Sequence, residues 1–301
     1  MLLENLSEWE ILYHLFDKIE EIVKVMDKTL KKQLLPKFKS KGGRPSGLSL
    51  AAILSFGIFR FFIGIKDIKH YHHYLLSYFS RELGRIPNYP NFNRLMNQSL
   101  PWAIFLIQWL MQCQRKHSPG DLHFIDSTSL KVCSNKRIFD HKVCDGFAQR
   151  GKTSMGYFFG FKLHLVCDAL GHLVSLMITP GNTDDRKFVL HLLKGLKGLV
   201  VADAGYLSKE LMIQLFEQGI LFLTGVRKNM KRLMTQTQHQ FFKLRQRAEG
   251  VFSVLKHRLN MEASIARSVA GYISRCIFPC LAYIFQPYLR QLSSAAVLSH
   301  D

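Results

Sequence analysis

Three carboxylates stand out by their surroundings. Asp126 closes the apolar run Leu122-His123-Phe124-Ile125, and Asp203 closes Leu199-Val200-Val201-Ala202. A charge at the end of such a run is costly to bury without a partner. It either faces water or a backbone amide, or it helps to hold a cation. Glu249 lies in RQRAEGVFSVLKHR and is the only acid between Glu217 and Glu262. Arg245 precedes it by four residues on the same helical face, so one reading of Glu249 is an ion pair worth about 0.3–0.5 kcal/mol. The other is a metal site whose anionic substrate is held by the surrounding cations. Two or three carboxylates brought together repel one another, and a divalent ion relieves that repulsion. Magnesium suits such a set, because it takes oxygen ligands and leaves positions open for phosphate and water. Other acids have simpler readings. Asp168 reads as a hairpin-turn residue, and Asp184 and Asp185 as first-turn acids favoured by a helix dipole. His123 and His164 fall in strand patterns and are expected in the core or on a sheet face.

The elements that must position these groups begin after Gly120. Leu122 to Thr128 reads as a strand ending at its carboxylate. Gly156 to Cys167 is a longer strand, with a turn at Asp168 to Gly171 and a hairpin partner over His172 to Thr179. Thr183 is placed to cap a helix from Asp184 to Lys194. A buried strand over Leu199 to Tyr206, a helix over Lys209 to Gln218 and a strand over Ile220 to Val226 follow. Thr235 to Leu259 reads as one long basic helix, and Lys136 to Lys152 as a basic loop between strands. This order is mixed α/β, with crossover helices covering a sheet. The first 115 residues carry helical periodicity instead. Helices are expected over Trp9 to Leu35, Leu50 to Gly64, Asp67 to Phe79 and Pro101 to Gln114, with a Gly/Lys/Arg loop at Lys37 to Gly47. The second and third allow a helix-turn-helix reading beside ordinary packing. The spacing therefore predicts a helical domain over residues 1–119, linked through His117 to Gly120 to an α/β domain over 120–301.

The charge is large: 41 Lys and Arg against 22 Asp and Glu, a net +19 over 301 residues. Both parts share it, with +8 over residues 1–119 and +11 over 120–301. It peaks between Arg227 and Arg258, where nine Lys or Arg stand with one acid. Such a surface implies an anionic partner, and nucleic acid is the commonest for a protein of this size. The six scattered cysteines form no CxxC pair and read as reduced, mostly buried thiols. No apolar stretch reaches the roughly 20 residues of a membrane span, so no membrane partner is expected. The opening MLLENLSEWE puts acids where a secretion signal needs cations.

Taken together, three blocks resemble the DDE transposases of bacterial insertion sequences, whose catalytic core is RNase H-like. The blocks are Phe124 to Thr128, Val201 to Tyr206, and Arg245 to Lys256. The family's third block has the form Tyr-x2-Arg-x3-Glu-x6-Lys; Arg245, Glu249 and Lys256 match it, and Phe242 stands at the tyrosine position. The resemblance covers about residues 120–290. It implies that Asp126, Asp203 and Glu249 are catalytic metal ligands for two Mg²⁺ or Mn²⁺ ions, and that Arg245 and Lys256 sit on phosphate. Lys243, Arg247 and Arg258 are expected as further DNA contacts. It implies cleavage and strand transfer at element ends, with a water and then a DNA 3′-hydroxyl as nucleophile, so Ser127, Thr128 and Tyr206 need not be nucleophiles. Terminal inverted repeats and target DNA would be the partners of a homodimer, in the bacterial cytoplasm at the nucleoid. A catalytically inactive DNA-binding regulator, or a nuclease of the same fold, remain the alternatives. If the charge serves DNA, affinity for a duplex should fall by about a thousandfold or more between low and physiological salt, as for proteins that contact many phosphates. A flat salt titration by fluorescence anisotropy would separate the basic surface from any DNA role.

Overall fold

The computed structural model describes residues 3, 5–30, 47–118, 120–153, 156–225, 235–262 and 266–298. The expected end of the first helix at Leu35, nearly all of the Lys37 to Gly47 loop and the strand end at Val226 lie outside them. In chain order the described elements begin with helices α1 (Glu8–Leu30), α2 (Leu50–Phe62), α3 (Ile68–Leu83), α4 (Tyr89–Gln98) and α5 (Leu100–His117). Strands β1 (Leu122–Cys133), β2 (Gln149–Thr153), β3 (Gly156–Asp168) and β4 (Leu173–Pro180) follow. Then come helix α6 (Val189–Leu192), strand β5 (Gly198–Ala202), helix α7 (Lys209–Glu217) and strand β6 (Ile220–Thr224). Helices α8 (Gln236–Leu244), α9 (Gln246–Ser253) and α10 (Val269–Leu298) close the chain. It divides into two compact units, one of Met1–Phe105, Leu259–Ile265 and Ala270–Asp301, the other of Leu106–Arg258 and Ala266–Val269.

The first unit is helical among its described residues. Helix α1 buries Leu12, Leu15, Ile19, Ile22 and Met26, the apolar stripe read from its sequence. Ser49 caps α2 by accepting the Ala52 N–H (3.1 Å), and Asp67 caps α3 through the Lys69 and His70 N–H groups. In the α3 run His70-Tyr71-His72-His73, His72 is buried with Nε2 2.7 Å from the Pro87 carbonyl. Helix α4 was not expected; Asn88 caps it and a proline sits in its first turn. The apolar run Cys276 to Leu289, too short alone to span a membrane, lies inside the 30-residue α10. Val269–Ser294 is long and apolar enough to cross a membrane by length and composition, yet 67% of its apolar window is buried within the protein. Phe278 of α10 packs where Gly57 of α2 has no side chain, so this is a core helix. The six cysteines are free thiols, four of them buried.

The second unit is built on a six-stranded sheet ordered β2-β3-β1-β5-β6, with β4 alongside β3. One edge of β3 pairs with β1; its other edge is shared by β2 at Gly156 to Gly160 and by β4 at Phe161 to Cys167. These pairings are antiparallel, while β1–β5 and β5–β6 are parallel. Parallel neighbours need crossovers, and α6 and α7 supply them. Their buried side chains, Val189, Leu192, Leu211 and Leu215, meet Ile125, Val166, Val200 and Ala202 from the sheet. The expected mixed sheet flanked by helices is therefore present, together with an N-terminal region that is helical among its described residues.

Several local expectations change. Strand β1 runs to Cys133 rather than stopping near Thr128, because β3 pairs with it throughout. Part of the expected Lys136 to Lys152 loop is strand β2, a polar edge strand. The helix expected at Asp184 to Lys194 shrinks to a 3₁₀ turn (Asp185–Phe188) and the short α6. The single helix expected from Thr235 to Leu259 is three pieces: α8, α9 and a π-turn at Val254–Arg258. The break lies at Arg245, where Arg245 N–H bonds Phe242 O and Ala248 N–H bonds Arg245 O, both three residues back.

Strand β5 starts at Gly198, with φ +87°, and a Cβ there would overlap Asp121. Gly195, with φ +78°, has open space around it. Gly198→Ala adds a steric clash to backbone strain and is expected to lose about 2–4 kcal/mol, whereas Gly195→Ala loses only about 1. Urea unfolding midpoints check this; equal losses would mean that β5 is not seated against Asp121.

Candidate active site

The parallel pair β1–β5 sets the site. Ile125 is paired with Ala202, and β5 ends there. The next residues on the two strands are Asp126 and Asp203, so the register brings these carboxylates side by side. Asp203 leaves the sheet as the cap of a 3₁₀ turn, its Oδ1 accepting the Ala204 N–H (2.7 Å). Asp126 stays in β1, opposite Leu165 of β3, and its Oδ1 accepts the Ser127 N–H (2.8 Å). Asp126 is thus not a strand-end residue, as its sequence suggested. It is the first residue on β1 after the parallel partner has gone, and that departure opens one side of it.

The third carboxylate arrives on α9. Ala248, Val251 and Phe252 bury the inner face of α9. Arg245 turns inward at the helix break. Its Nη1 donates to Asp126 Oδ2 (3.2 Å) and its Nη2 to Glu249 Oε1 (2.6 Å). Its guanidinium lies over the Phe242 ring, 5.5 Å from the centroid. The position that resembles the family's tyrosine therefore keeps a ring under the arginine and lacks only the hydroxyl. Burial pushes the Asp126 carboxyl up to about 6, and the negative charges of Asp203 and Glu249 push the same way. The Ser127 N–H and Arg245 oppose them. The three sequence-predicted carboxylates thus gather at one end of the sheet.

As donors they fit a hard divalent cation: three oxygen-ligand side chains at a spot where their mutual repulsion is felt. Among the described residues, no group of three or more His, Cys, Asp or Glu side chains is placed to hold a metal ion, so the three carboxylates would have to close up around one. Arg245 bridges two of the three carboxylates instead, as a counter-ion.

The predicted basic residues divide into two groups. Lys243, Arg247 and Arg258 are exposed. Arg245 is turned into the carboxylates, and Lys256 Nζ donates to the Ser129 carbonyl of β1 (3.3 Å). Asp168 is the turn residue expected: its Oδ1 accepts the Leu170 and His172 N–H groups, three positions down the sheet from Asp126. His123 and His164 are buried.

Sequence reasoning missed a second polar cluster. Lys162 Nζ donates to Asp185 Oδ1 (2.7 Å) and to the Thr183 carbonyl (2.9 Å), and Ser127 Oγ donates to Asp185 Oδ2 (2.9 Å). Asp185 is therefore not a solvated first-turn acid. It ties the turn after β4 to the residue next to Asp126. Its neighbour Asp184 does act locally, held down at about 2 by its hydrogen bonds from Arg186. The buried Tyr206 hydroxyl is pushed well above its ordinary value by burial, then by the charges of Asp185 and Asp126. The one available signal was Lys162 itself, a cation within the apolar run GFKLHLVC.

The raised Asp126 carboxyl has a stability consequence. The folded state binds its proton more tightly than the unfolded chain does, so ionising Asp126 costs stability; the cost is absent below about pH 4 and complete above about pH 6. Asp126→Asn is expected to stabilise the chelator-treated protein by about 1–3 kcal/mol near pH 7.5 and hardly at all near pH 4. Thermal unfolding at the two pH values checks it; a variant less stable than wild type at the higher pH would show that Arg245 outweighs the burial.

Residues 116–269 match the family model described as a transposase DDE domain. No curated protein matches the chain. Among solved structures, the piggyBac transposase synaptic complex with hairpin DNA is similar at 13% identity and a TM-score of 0.48, over 96% of this chain and 76% of that one. The Mos1 mariner paired end complex with Mn is similar at 12% identity and a TM-score of 0.25, over 92% of this chain and 96% of that one. The matched segment is half of the chain and holds every strand of the sheet and all three carboxylates: the chain belongs to the transposase DDE domain family.

Proposed function

We propose that this transposase cleaves and joins DNA at the ends of an insertion sequence, with Asp126, Asp203 and Glu249 as its catalytic metal ligands. The observation that carries the proposal is the meeting of carboxylates from three distant segments where β5 leaves β1, with Arg245 as the counter-ion of two of them. The ions expected are Mg²⁺ or Mn²⁺, two of them, and the chemistry they supply when bound is activation of the attacking oxygen and stabilisation of charge on the leaving one. The protein's own part is positional and electrostatic. Asp126 stands within β1 and Asp203 just beyond the end of β5, and the parallel β1–β5 register sets one beside the other. Glu249 rides on α9 and can adjust. Near neutral pH Asp126 is ionised, since its carboxyl titrates at about 6, so it can serve as a ligand there. Lys243, Arg247 and Arg258 hold the phosphate backbone from the α8–π-turn segment. The helical part, residues 1–119, adds further DNA contacts, and two chains pair two element ends.

Asp203→Asn keeps the side chain's shape and removes its charge. Nicking of a labelled duplex bearing the element's end, with Mg²⁺ or Mn²⁺ added, should fall by at least about 10²–10³-fold, as when a charge-stabilising group is removed from a transition state. Glu249→Gln should behave alike, and Glu217→Gln, on the exposed end of α7, should not. DNA binding should survive in all three. Full cleavage by either site variant would sink the three-carboxylate mechanism, and nicking without a joined product would leave a nuclease. Reversing Lys243, Arg247 and Arg258 to Glu should abolish tight duplex binding at physiological salt; unchanged affinity in a filter-binding assay would move the DNA elsewhere.

A further inference from the structure

A groove of about 440 Å³ runs between β2 and the turn at residues 181–186. Its lining includes Arg150, Lys152, Tyr157, Lys162, Asp185 and Gly205. One end reaches the candidate site twice over. Gly205 is the second residue after Asp203, and Asp185 is bonded to Ser127, the neighbour of Asp126. We propose that this groove carries the phosphate backbone of the DNA strand up to the carboxylates, with Arg150 and Lys152 as its phosphate-binding cations. This rests on the DNA-processing reading above and adds the path that the strand takes.

The charges in the groove are of two kinds. Lys162 is paired with Asp185 and bonds the Thr183 carbonyl, and Arg186 is paired with Asp184. Their charges are balanced by neighbouring carboxylates. Arg150 and Lys152 are different. Both are exposed, and neither forms an ion pair with a carboxylate among the described residues. They stand two apart on an edge strand, hence on the same side of it. Each lies over the Tyr157 ring, the Arg150 guanidinium 4.7 Å and the Lys152 ammonium 5.5 Å from its centroid. A ring face restrains a cation without neutralising it. The two charges are therefore held in place while their N–H donors stay available, which is what a passing row of phosphates requires.

The groove floor is main chain. A Cβ on Gly151 would overlap the Gly181 carbonyl, and one on Gly181 would come within 2.6 Å of the Gln149 carbonyl. The Gly181 N–H donates to the Gly160 carbonyl (2.9 Å). Two glycines thus let the turn lie directly against β2 and β3. A polyanion entering the groove meets favourable charge at its doubly cationic mouth, and would meet it at the carboxylate end only once cations were bound there.

The test is equilibrium binding of a fluorescein-labelled duplex of arbitrary sequence, by anisotropy, over a salt series in EDTA. Cleavage then plays no part. Arg150→Gln with Lys152→Gln should lower the slope of log affinity against log salt by about 1.8, the value for two lost phosphate contacts. Arg150→Lys with Lys152→Arg keeps both charges and should keep the slope, and an unchanged thermal unfolding midpoint of the glutamine pair excludes a folding defect there. Lys194→Gln with Lys197→Gln, before the opposite end of β5, should also keep it. Tight wild-type binding with an unchanged slope in the Arg150/Lys152 glutamine pair overturns the groove and leaves the transposase reading standing. A wild-type protein that binds no DNA overturns that reading and the groove with it.

Discussion

The guanidinium of Arg245 is what allows negative charge to accumulate at one end of this sheet. Asp126 is mostly buried, and Asp203 and Glu249 both disfavour its ionisation. Arg245 reaches Asp126 and Glu249 at once through separate nitrogens. To do so it has to leave the helical path, and the chain breaks there into α8 and α9 with bonds three residues back on either side. The ring of Phe242 supports the arginine from behind. A lysine could not serve both carboxylates with the same fixed fork. The π-turn at Val254–Arg258 follows in the same segment, and it directs Lys256 back to the β1 main chain. Irregular helix and polar site are two descriptions of one constraint.

That constraint works only because the sheet registers its strands as it does. A β1–β5 register shifted by one residue would turn the two aspartates to opposite faces of the sheet. Gly198 fixes where β5 begins, and the apolar Val200, Val201 and Ala202 hold it between layers. The longer antiparallel β1–β3 pairing carries β1 beyond the point where β5 stops. One strand continues and the other leaves, and the space between them is where a carboxylate can be both anchored and reachable. The position behaves as the end of a parallel pair does in open α/β sheets, where chain divergence makes crevices.

Legibility followed the range of the interactions. Asp126 and Asp203 could be read because each ends a short apolar run, a local pattern. Glu249 could be read because one acid stands alone among nine cations. The Asp185 linkage could not, since Lys162, Ser127 and Asp185 meet only after β3, β1 and the turn beyond β4 have assembled. Local helix propensity is unbroken through Arg245, so the helix break is a tertiary effect that outweighs propensity. Strand β2 escaped for another reason. Its sequence, QRGKT, has no apolar alternation, because an edge strand exposed on one side needs none. Helix α10 escaped in part because only its apolar middle was weighed, whereas its polar ends belong to the same helix.

The distribution of cations adds a last step. A net charge of +19 says nothing about where an anion would bind, because several cations near the carboxylates are already committed. Arg245, Lys162 and Arg186 each have carboxylate partners, and Lys256 is bonded to main chain. Those pairs stiffen the walls around the acidic cluster. Among the exposed cations are Lys243, Arg247 and Arg258 along one segment, and Arg150 and Lys152 on the β2 edge. Paired cations near the carboxylates keep the local field from repelling a phosphodiester, and unpaired cations farther out supply the attraction. A uniformly basic surface would hold DNA without direction. On the proposed reading, the neutralised inner ring and the charged outer positions would give the strand a place to be held that is distinct from the place where it reacts.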